Sequence, residues 1–510
     1  MNKKENTQQN LSASIIISKK AFITSASIIF ALLIVAGVLT LVIPTGRYQR
    51  VIENGIESVK PGSFAFTNEK RLPVYRWFTA PIEVLFAPGN ITVITIILFI
   101  LIIGSCFAVL DKTNVLQYII FMLSQRFKGK KNTLFAILIL FFMLLGSLFG
   151  IFEEMIPLVP IILLLSFNMG YDKYLGLFLS LLATGFGFSS AISNPFTLGV
   201  AQKIANLPVF SGFELRVVVF AVIYLVLLLF VINYTKKYDK QRYMSNLILN
   251  GVSNSSTTLQ KDLNPQTIEP DRTFNGQRVD ENFTKNLQDK KVKRSINFFF
   301  ITISLMFAFI ILTLFVKGLS NLSLPFIALI FIFLATGTSA LMKIPAKDVL
   351  RYLKNGVVGI APAAILICLA MGVNHIIRNG RVLDTILYYA ANIMTKSSNI
   401  VSALMIYYIT LIMNFFIGSA SAKAFLLLPI LTPLADLSSV TRQVAVLAFQ
   451  FGDGFSNVLY PTNPVLLIAL AISGVSYTSW FKKTIFIQMI VFVITTIFII
   501  VAVLIGYGPY

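Results

Sequence analysis

Long apolar runs constrain this chain of 510 residues more than any other feature of its sequence. Runs of about 20 residues match the length of a helix that crosses the hydrocarbon core of a bilayer. Only 12% of the residues are charged and 56% are hydrophobic, which is too little charge to cover a soluble protein of this size. We therefore predict an all-α, polytopic membrane protein, with spans at 21–43, 91–110, 215–234, 298–317, 323–342, 357–378 and 484–506.

The formal net charge of +21 comes mainly from Lys and Arg in the loops between the apolar runs. Basic loops are typical of the cytoplasmic side of a membrane protein and of contact with anionic lipid, so we expect no nucleic-acid partner. The basic stretches at 127–132 and 343–354 would then be cytoplasmic, although the loop at 44–90 is basic too. We expect residues 1–18 to form a disordered cytoplasmic N-terminus of a bacterial inner-membrane protein.

One arrangement of apolar segments occurs twice. Short apolar segments at 133–168 predict a re-entrant helical hairpin, and those at 400–437 predict a second one. Each hairpin is followed by an apolar helix that small residues and proline interrupt, at 174–206 and at 441–474. Interrupted helices at corresponding places in two halves are typical of the binding site of a secondary transporter.

The spacing of landmark residues also predicts a duplication. The interval from Gly104 to Gly372 equals the interval from Gly150 to Gly418. The two Asn-Pro pairs, which begin at positions 194 and 463, are separated by almost the same interval. A nearly constant offset across three landmarks indicates two copies of one unit.

The composition changes between the two copies. Residues 235–297 are polar and charged, without a sustained apolar period, and we predict that they form a cytoplasmic linker. The first transmembrane repeat would occupy 19–234, and a connecting span plus the second repeat would occupy 298–510. The extra span at 298–317 would invert the second repeat relative to the first.

Asn-Pro pairs interrupt both apolar helices, within SNPFT at 193–197 and PTNP at 461–464. Proline removes helical hydrogen bonds and lipid offers no replacement partner, so the freed backbone must line a cavity enclosed by protein. The alternative is that each pair only caps a half-helix. We predict substrate contacts from Asn194, Thr197, Gln202, Thr462 and Asn463, and contacts to a coupling ion from Ser193, Asn194, Asp453 and Asn463.

Glu153 and Glu154 lie at the tip of the first predicted hairpin. Two adjacent carboxylates in apolar surroundings are costly to ionise without a cation. We predict that they bind substrate through a guanidinium or ammonium group, coordinate sodium, or carry a proton. The alternative is a structural ion pair with an arginine such as Arg216.

Small residues at 418–422 form the tip of the second predicted hairpin, where a ligand can approach the backbone closely. We predict that Ser419 and Ser421 contact the substrate. Lys423 would either neutralise a substrate carboxylate or extend to the membrane surface.

The sequence contains no metal-ligand cluster, nucleophile–base pair or phosphate-binding glycine loop. We therefore expect no cofactor and no metal, with a gradient or exchange as the energy source and Na⁺ or H⁺ as possible coupling ions. A membrane-embedded enzyme would use Glu153, Glu154 and Asp453 as a carboxylate cluster. Because inverted repeats serve alternating access rather than catalysis, we expect a protein that is not an enzyme.

Four stretches carry a resemblance to a known family, namely GIFEEMIPLVPI at 150–161, MGYDKYLG at 169–176, SSAISNPFTLGVAQKIANLPVFSGFELR at 189–216 and LYPTNPVL at 459–466. They resemble the YfcC-like branch of the DcuC family, the C4-dicarboxylate anaerobic carriers of the ion transporter superfamily. The resemblance implies a homodimeric, elevator-type carrier with a fixed scaffold and a moving part made of hairpins and broken helices. Members are associated with C4-dicarboxylates or with basic amino acids.

The acidic pair favours one of these substrate classes. Bare carboxylates at 153 and 154 would repel a dicarboxylate, whereas they would attract the cationic side chain of a basic amino acid. We therefore predict a secondary active antiporter that exchanges arginine for ornithine or a similar pair. The alternative is a sodium- or proton-coupled carrier of C4-dicarboxylates or other carboxylates, in which the glutamates serve the coupling cation.

Overall fold

The computed structural model describes residues 19–53, 56–60, 62–67, 71–87, 90–127, 129–253, 273–274, 277–278, 289–316, 319–394 and 396–508. By length and composition, ten helices in this part of the chain can cross a membrane. They confirm a mostly helical, polytopic chain, and their bounds are Lys19–Val42, Asn90–Thr113, Lys131–Phe149, Phe213–Ser253, Lys290–Phe315, Ser323–Leu341, Ala346–Asn379, Asn399–Phe416, Ala420–Leu437 and Tyr477–Leu504.

Shorter helices connect the long ones. Lys173–Leu177 and Ala183–Ser189 form one apolar helix through a π-helical turn at Phe178–Leu182. Single-turn 3₁₀ helices lie at Ile156–Leu158, Leu319–Leu322 and Phe455–Val458. The remaining short α-helices are Tyr75–Glu83, Val115–Arg126, Val159–Asn168, Leu198–Ile204, Leu383–Met394, Arg442–Gly454 and Pro464–Ser473.

The long helices Asn90–Thr113 and Ala346–Asn379 pack closely against each other. A Cβ atom added to Gly356 would lie 2.5 Å from Ser105 Cα and 2.7 Å from the carbonyl oxygen of Gly104. Small residues at such a crossing let two helix backbones approach each other, as is common in membrane proteins. Helices Lys19–Val42 and Ser323–Leu341 pack against this central pair.

Short antiparallel strands lie between the first two long helices, within the stretch 44–90 that was predicted as a loop. Gly46–Arg47 pairs with Ala65–Phe66, and Arg50–Glu53 pairs with Ile56–Val59. Asp384 ties this region to the helix Leu383–Met394, because its carboxylate accepts bonds from the Tyr48 amide and the Arg50 guanidinium. One more strand pair joins Thr273–Phe274 to Gln277–Arg278.

The structure differs from the predicted linker 235–297 at both ends. The helix that begins at Phe213 continues to Ser253, and the helix Lys290–Phe315 begins before the predicted span. Contacts beyond the apolar stretch hold the first of these helices, since Lys131 Nζ lies 2.5 Å from a carboxylate oxygen of Asp239. A helix can continue through polar residues such as Lys, Asp, Gln and Arg. The end of the apolar stretch therefore did not mark the end of the helix that begins at Phe213. Most of 254–288 and all of 1–18 lie outside the described residues.

The two predicted pairs of hairpin and interrupted helix have their helix ends close to the predicted positions. Here, hairpin one is 131–168, interrupted helix one is 173–204, hairpin two is 399–437 and interrupted helix two is 442–473. Non-helical backbone at 190–197 and 459–463 breaks the two interrupted helices, as the Asn-Pro pairs predicted. The first helix of each hairpin packs against the first half of its own interrupted helix.

Candidate functional site

Backbone hydrogen bonds join the end of the first helix of hairpin one to the first break. The carbonyl oxygen of Ser147 accepts from the amides of Ile192 and Ser193, each at 3.2 Å. The Ser147 hydroxyl donates to the carbonyl of Ser190 at 2.9 Å, and the Ser193 hydroxyl donates to the carbonyl of Leu148. These bonds satisfy backbone groups that the break leaves without helical partners. Ser193 therefore links the first break to hairpin one through both its amide and its hydroxyl.

Asn194 caps the second half of interrupted helix one. Its Oδ1 atom accepts from the amides of Phe196 and Thr197, at 2.9 and 3.2 Å. Gly150 lies against this oxygen, since a Cβ atom on Gly150 would be 2.3 Å from it. Among the described residues, neither Nδ2 of Asn194 nor Oγ1 of Thr197 has a hydrogen-bond partner, although both atoms are buried. Buried polar atoms are normally paired, so these two are available to a ligand.

Glu153 and Glu154 lie a few residues after Gly150, in the tip between the two helices of hairpin one. Glu153 is exposed and lines a small cavity whose wall includes Pro464 of the second break. Glu154 is half-buried, and its Oε1 atom accepts a bond of 3.0 Å from the Ser323 hydroxyl. In the described part of the chain, no Lys or Arg forms an ion pair with either glutamate.

The second break is capped in the same way as the first. Asn463 Oδ1 accepts from the amides of Val465 and Leu466, at 2.9 and 3.3 Å, and Asn463 Nδ2 donates to Asn457 Oδ1 at 3.1 Å. Thr462 beside it is buried. The structure thus gives Asn463 a capping role and leaves its amide nitrogen in a local network.

The tip of hairpin two reaches the first break. Ser421 Oγ donates a bond of 2.8 Å to the carbonyl oxygen of Phe196, which follows the Asn-Pro pair. Ser419 caps the helix Ala420–Leu437 by accepting from the amide of Ala422. Hairpin two therefore contacts the break in interrupted helix one, a contact that sequence spacing alone does not reveal.

Lys423 points into the protein, so the alternative in which it extends to the membrane surface is wrong. Its Nζ atom lies 2.7 Å from Oδ1 of Asp453, and both side chains are completely buried. Asp453, predicted as a ligand of a coupling ion, thus faces a cation supplied by the chain itself. Lys423 also donates hydrogen bonds to Asn414 and Ile417, whereas neither carboxylate oxygen of Asp453 accepts a hydrogen bond from the described residues.

Gln202 and Arg216 belong to a separate cluster. Gln202 Nε2 donates to the carbonyl of Ser211 at 3.0 Å, and its Oε1 accepts from the amide of Phe210 at 2.6 Å. Arg216 donates to the carbonyls of these two loop residues and to the hydroxyl of Tyr507. The structure therefore does not bring Gln202 to the breaks, and Arg216 is not the partner of the glutamates.

Two polar residues at the site were missing from the sequence analysis. Asn414 Nδ2 donates to the carbonyl of Asp453 and to the side chains of Ser456 and Asn457. Gln450 Nε2 donates to the carbonyl of Phe188, whereas its Oε1 is buried without a partner in the described structure. An amide side chain inside an apolar helix was the available signal, because such residues are rare where lipid surrounds a helix.

The two interrupted helices cross next to their breaks. A Cβ atom on Gly454 would lie 2.5 Å from Ser189 Cα, and one on Gly185 would lie 2.3 Å from Cγ1 of Val458. This crossing places the first break, the second break and both hairpin tips in one region. The arrangement offers two acidic side chains at one hairpin tip and unpaired amide and hydroxyl groups at the first break.

Comparison with known proteins gives a family and several relatives. Residues 22–504 match the family described as DcuC, C4-dicarboxylate anaerobic carrier. The "Putative basic amino acid antiporter YfcC" of Escherichia coli is 29% identical over 94% of this chain and 96% of its own length. An uncharacterized protein of Haemophilus influenzae is 23% identical over 90% of this chain and 93% of its own.

Two solved transporters are partly similar to this chain. The YdaH transporter of Alcanivorax borkumensis has a TM-score of 0.42 and 14% identity, covering 95% of this chain and all of the other. MtrF of Neisseria gonorrhoeae, described as illuminating a class of antimetabolite efflux pumps, has a TM-score of 0.40 and 14% identity, with 95% of each chain covered. At these scores the likeness does not establish a common fold.

Proposed function

Because the chain belongs to the DcuC family of membrane transporters, we propose that it exchanges basic amino acids across the bacterial inner membrane. The exchanged pair would be arginine and ornithine, or two amino acids of the same charge. The name of the Escherichia coli relative agrees with this substrate class. The family name points instead to C4-dicarboxylates, so the proposal depends on the chemistry of the site.

The observation that carries the proposal is the acidic pair without a cation. Glu153 is exposed and Glu154 accepts from a hydroxyl group, and neither carboxylate has a basic partner among the described residues. A guanidinium or ammonium group placed there would gain charge-assisted hydrogen bonds, which are stronger than bonds between neutral groups. A dicarboxylate would meet two like charges instead.

The first break supplies groups for the other end of an amino acid. Asn194 Nδ2 and Thr197 Oγ1 can both donate to a carboxylate, and both lack a partner in the described structure. Gly150 contacts Asn194, so the acidic tip and this break are adjacent. A ligand with a cationic end and an anionic end would satisfy both groups of residues at once.

Transport would follow an elevator mechanism. We propose that the two units of hairpin and interrupted helix form inverted repeats and move together against the central helices, in a homodimer with a cytoplasmic N-terminus. The contact from Ser421 to Phe196 supports joint movement, because it links hairpin two to the first break. Broken helices near the middle of a membrane are the usual ligand sites of such carriers.

The alternative is a carrier of C4-dicarboxylates or other carboxylates that is coupled to sodium or protons. In that case the glutamates would bind the coupling cation, and a basic amino acid would not be a ligand. The family description favours this alternative. Ligand binding separates the two functions before any transport assay.

Thermal unfolding of the purified protein provides this test. We expect arginine and ornithine to raise the unfolding midpoint and succinate to leave it unchanged, because a ligand at 100 times its Kd stabilises a protein by about 2.7 kcal/mol. Glu153→Gln should weaken arginine binding by roughly tenfold or more, since a hydrogen bond to a charged group contributes about 1.5–3 kcal/mol. Glu214→Gln is the matched control, as Glu214 is exposed and lies at the start of another helix.

Two results would contradict the proposal. One is a rise in the midpoint with succinate but not with arginine. The other is an arginine response in Glu153→Gln equal to that of the unmodified protein. Because the control variant loses the same charge, a general electrostatic effect would change both variants alike.

A further inference from the structure

The buried ammonium group of Lys423 is surrounded by oxygen atoms. Asp453 Oδ1 lies 2.7 Å away and the carbonyl oxygen of Ile417 lies 2.6 Å away. The side-chain oxygen of Asn414 accepts a hydrogen bond from the same nitrogen, as does the Ile417 carbonyl. Lys423 and Asp453 have no exposed surface, and Asn414 is 4% exposed. The three oxygens belong to a carboxylate, a backbone carbonyl and an amide.

These oxygens come from separate elements that meet at one nitrogen. Asn414 lies in the last turn of the helix Asn399–Phe416, and Ile417 is the first residue beyond it. Lys423 belongs to the first turn of the second helix of hairpin two, and Asp453 to the end of the first half of interrupted helix two. The ammonium therefore holds the tip of hairpin two against interrupted helix two.

An all-oxygen set of this kind is what a sodium ion requires. Hard cations bind carboxylate, carbonyl and amide oxygens, and an ammonium group with three donors can pair with the same kinds of atom. Here it forms an ion pair with Asp453, although neither carboxylate oxygen accepts a hydrogen bond from the described residues. The carboxylate of Asp453 has no other charge partner in the described structure, and an ionised carboxylate buried without a cation would be costly. Some cation is needed at this place, and the chain provides one.

The first repeat has no equivalent arrangement. At the offset that relates the paired glycines of the two repeats, the corresponding positions are Gly146, Met155 and Gly185, which offer neither an acid, an amide nor an ammonium group. The cation and its oxygens are therefore a property of the second repeat alone. A structural role of the backbone that both halves share would not explain why only the second half carries this cation and these oxygens.

We propose that Lys423 Nζ is a tethered cation that replaces a free coupling sodium ion between hairpin two and interrupted helix two. Transport by this protein is then independent of sodium. This proposal rests on the proposed exchange function where it concerns transport. Its test by sodium binding needs no substrate. A chain that carries its own cation cannot use that position to draw energy from a sodium gradient, which suits exchange.

The test compares thermal unfolding in sodium chloride and in choline chloride at equal ionic strength. The unmodified protein should show the same midpoint in both salts. Lys423→Met removes the ammonium group and should lower the midpoint in choline, and sodium should restore part of the loss by entering the vacated oxygen set. Lys423→Met combined with Asp453→Asn should lose the sodium response. Lys347→Met, at an exposed lysine, is the control for loss of one positive charge.

Each outcome decides the proposal. A sodium-dependent midpoint in the unmodified protein overturns it, and so does a Lys423→Met variant that is equally stable in both salts. If Lys423→Met can be purified only in sodium, the proposal is supported. If it cannot be purified in either salt, the sodium response of the unmodified protein decides. Failure of arginine exchange would leave these salt responses unchanged, so the two proposals fail separately.

Discussion

At the scale of single residues, Glu83 shows how an ion pair outside the spanning helices lowers the pKa of a carboxylate. Its carboxylate accepts a bond of 2.6 Å from the guanidinium of Arg76 in the helix Tyr75–Glu83, and His375 lies at 3.3 Å. The hydrogen bond from Arg76 is the main reason that the pKa of Glu83 falls to about 2, with a smaller contribution from Thr79. Burial opposes this shift but does not cancel it.

A lowered pKa predicts a pH-dependent contribution to stability. A carboxylate with a folded pKa below its unfolded value stabilises the folded protein above the unfolded pKa and loses this contribution as pH falls. The unmodified protein should therefore unfold at a higher midpoint than Glu83→Gln above pH 4.5, and the difference should shrink as the pH falls toward about 2. A difference that stays constant over this range would contradict the assignment. Lys60→Gln, at an exposed residue, controls for general charge effects.

The acidic tip and the breaks could be predicted from the sequence because their chemistry is local. Proline removes helical hydrogen bonds from its own segment, and adjacent glutamates in an apolar run need a cation. The partner of Lys423 could not be predicted, since Asp453 belongs to a different helix and only the packing of hairpin two brings the two side chains together. For the same reason, the contacts of Gln202 with Phe210 and Ser211 could not be predicted.

At the scale of elements, two glycines let hairpin one pack against interrupted helix one. A Cβ atom on Gly187 would lie 2.1 Å from the carbonyl oxygen of Met143, and one on Gly146 would lie 2.4 Å from that of Thr184. Both obstacles are backbone atoms, so rotation of a side chain cannot relieve them. These glycines therefore fix the distance between the hairpin and the helix that carries the first break.

Substitution of these glycines tests the packing. Gly187→Ala should destabilise the protein by about 1–3 kcal/mol or more, because the extra methyl group forces two backbones apart. Gly199→Ala is the control, since its Cβ atom would meet Phe210 at an ordinary 3.6 Å within a helix. We expect this control to be neutral or to stabilise by about 0.5–1 kcal/mol. Equal unfolding midpoints for the two variants would show that the helices do not approach as closely as described.

Helix ends were harder to predict than helix positions. The interrupted helices end close to where glycine, proline and capping residues predicted, because these residues act on the backbone directly. The helix Phe213–Ser253 continues into charged sequence, where Asp239 forms an ion pair with Lys131 of another helix. The short strands at 46–66 depend on pairing between distant residues, which a polar composition does not indicate.

At the scale of the whole molecule, the polytopic architecture was predictable because a bilayer allows few alternatives. Backbone groups surrounded by lipid must be satisfied within helices, so apolar runs of sufficient length identify the spans. The substrate was not predictable to the same degree, because length and hydropathy identify the spans whereas a few side chains determine what binds. In this chain we propose that those side chains are Glu153 and Glu154 together with the unpaired groups at the first break.

Counterflow in proteoliposomes tests the central claim most directly. Vesicles that contain the purified protein are loaded with ornithine or left empty, and entry of labelled arginine is followed with and without sodium. We predict arginine entry that requires internal ornithine, is unaffected by sodium, and is lost in Glu154→Gln. Sodium-dependent uptake of succinate without arginine exchange would contradict the account and assign the glutamates to a coupling ion.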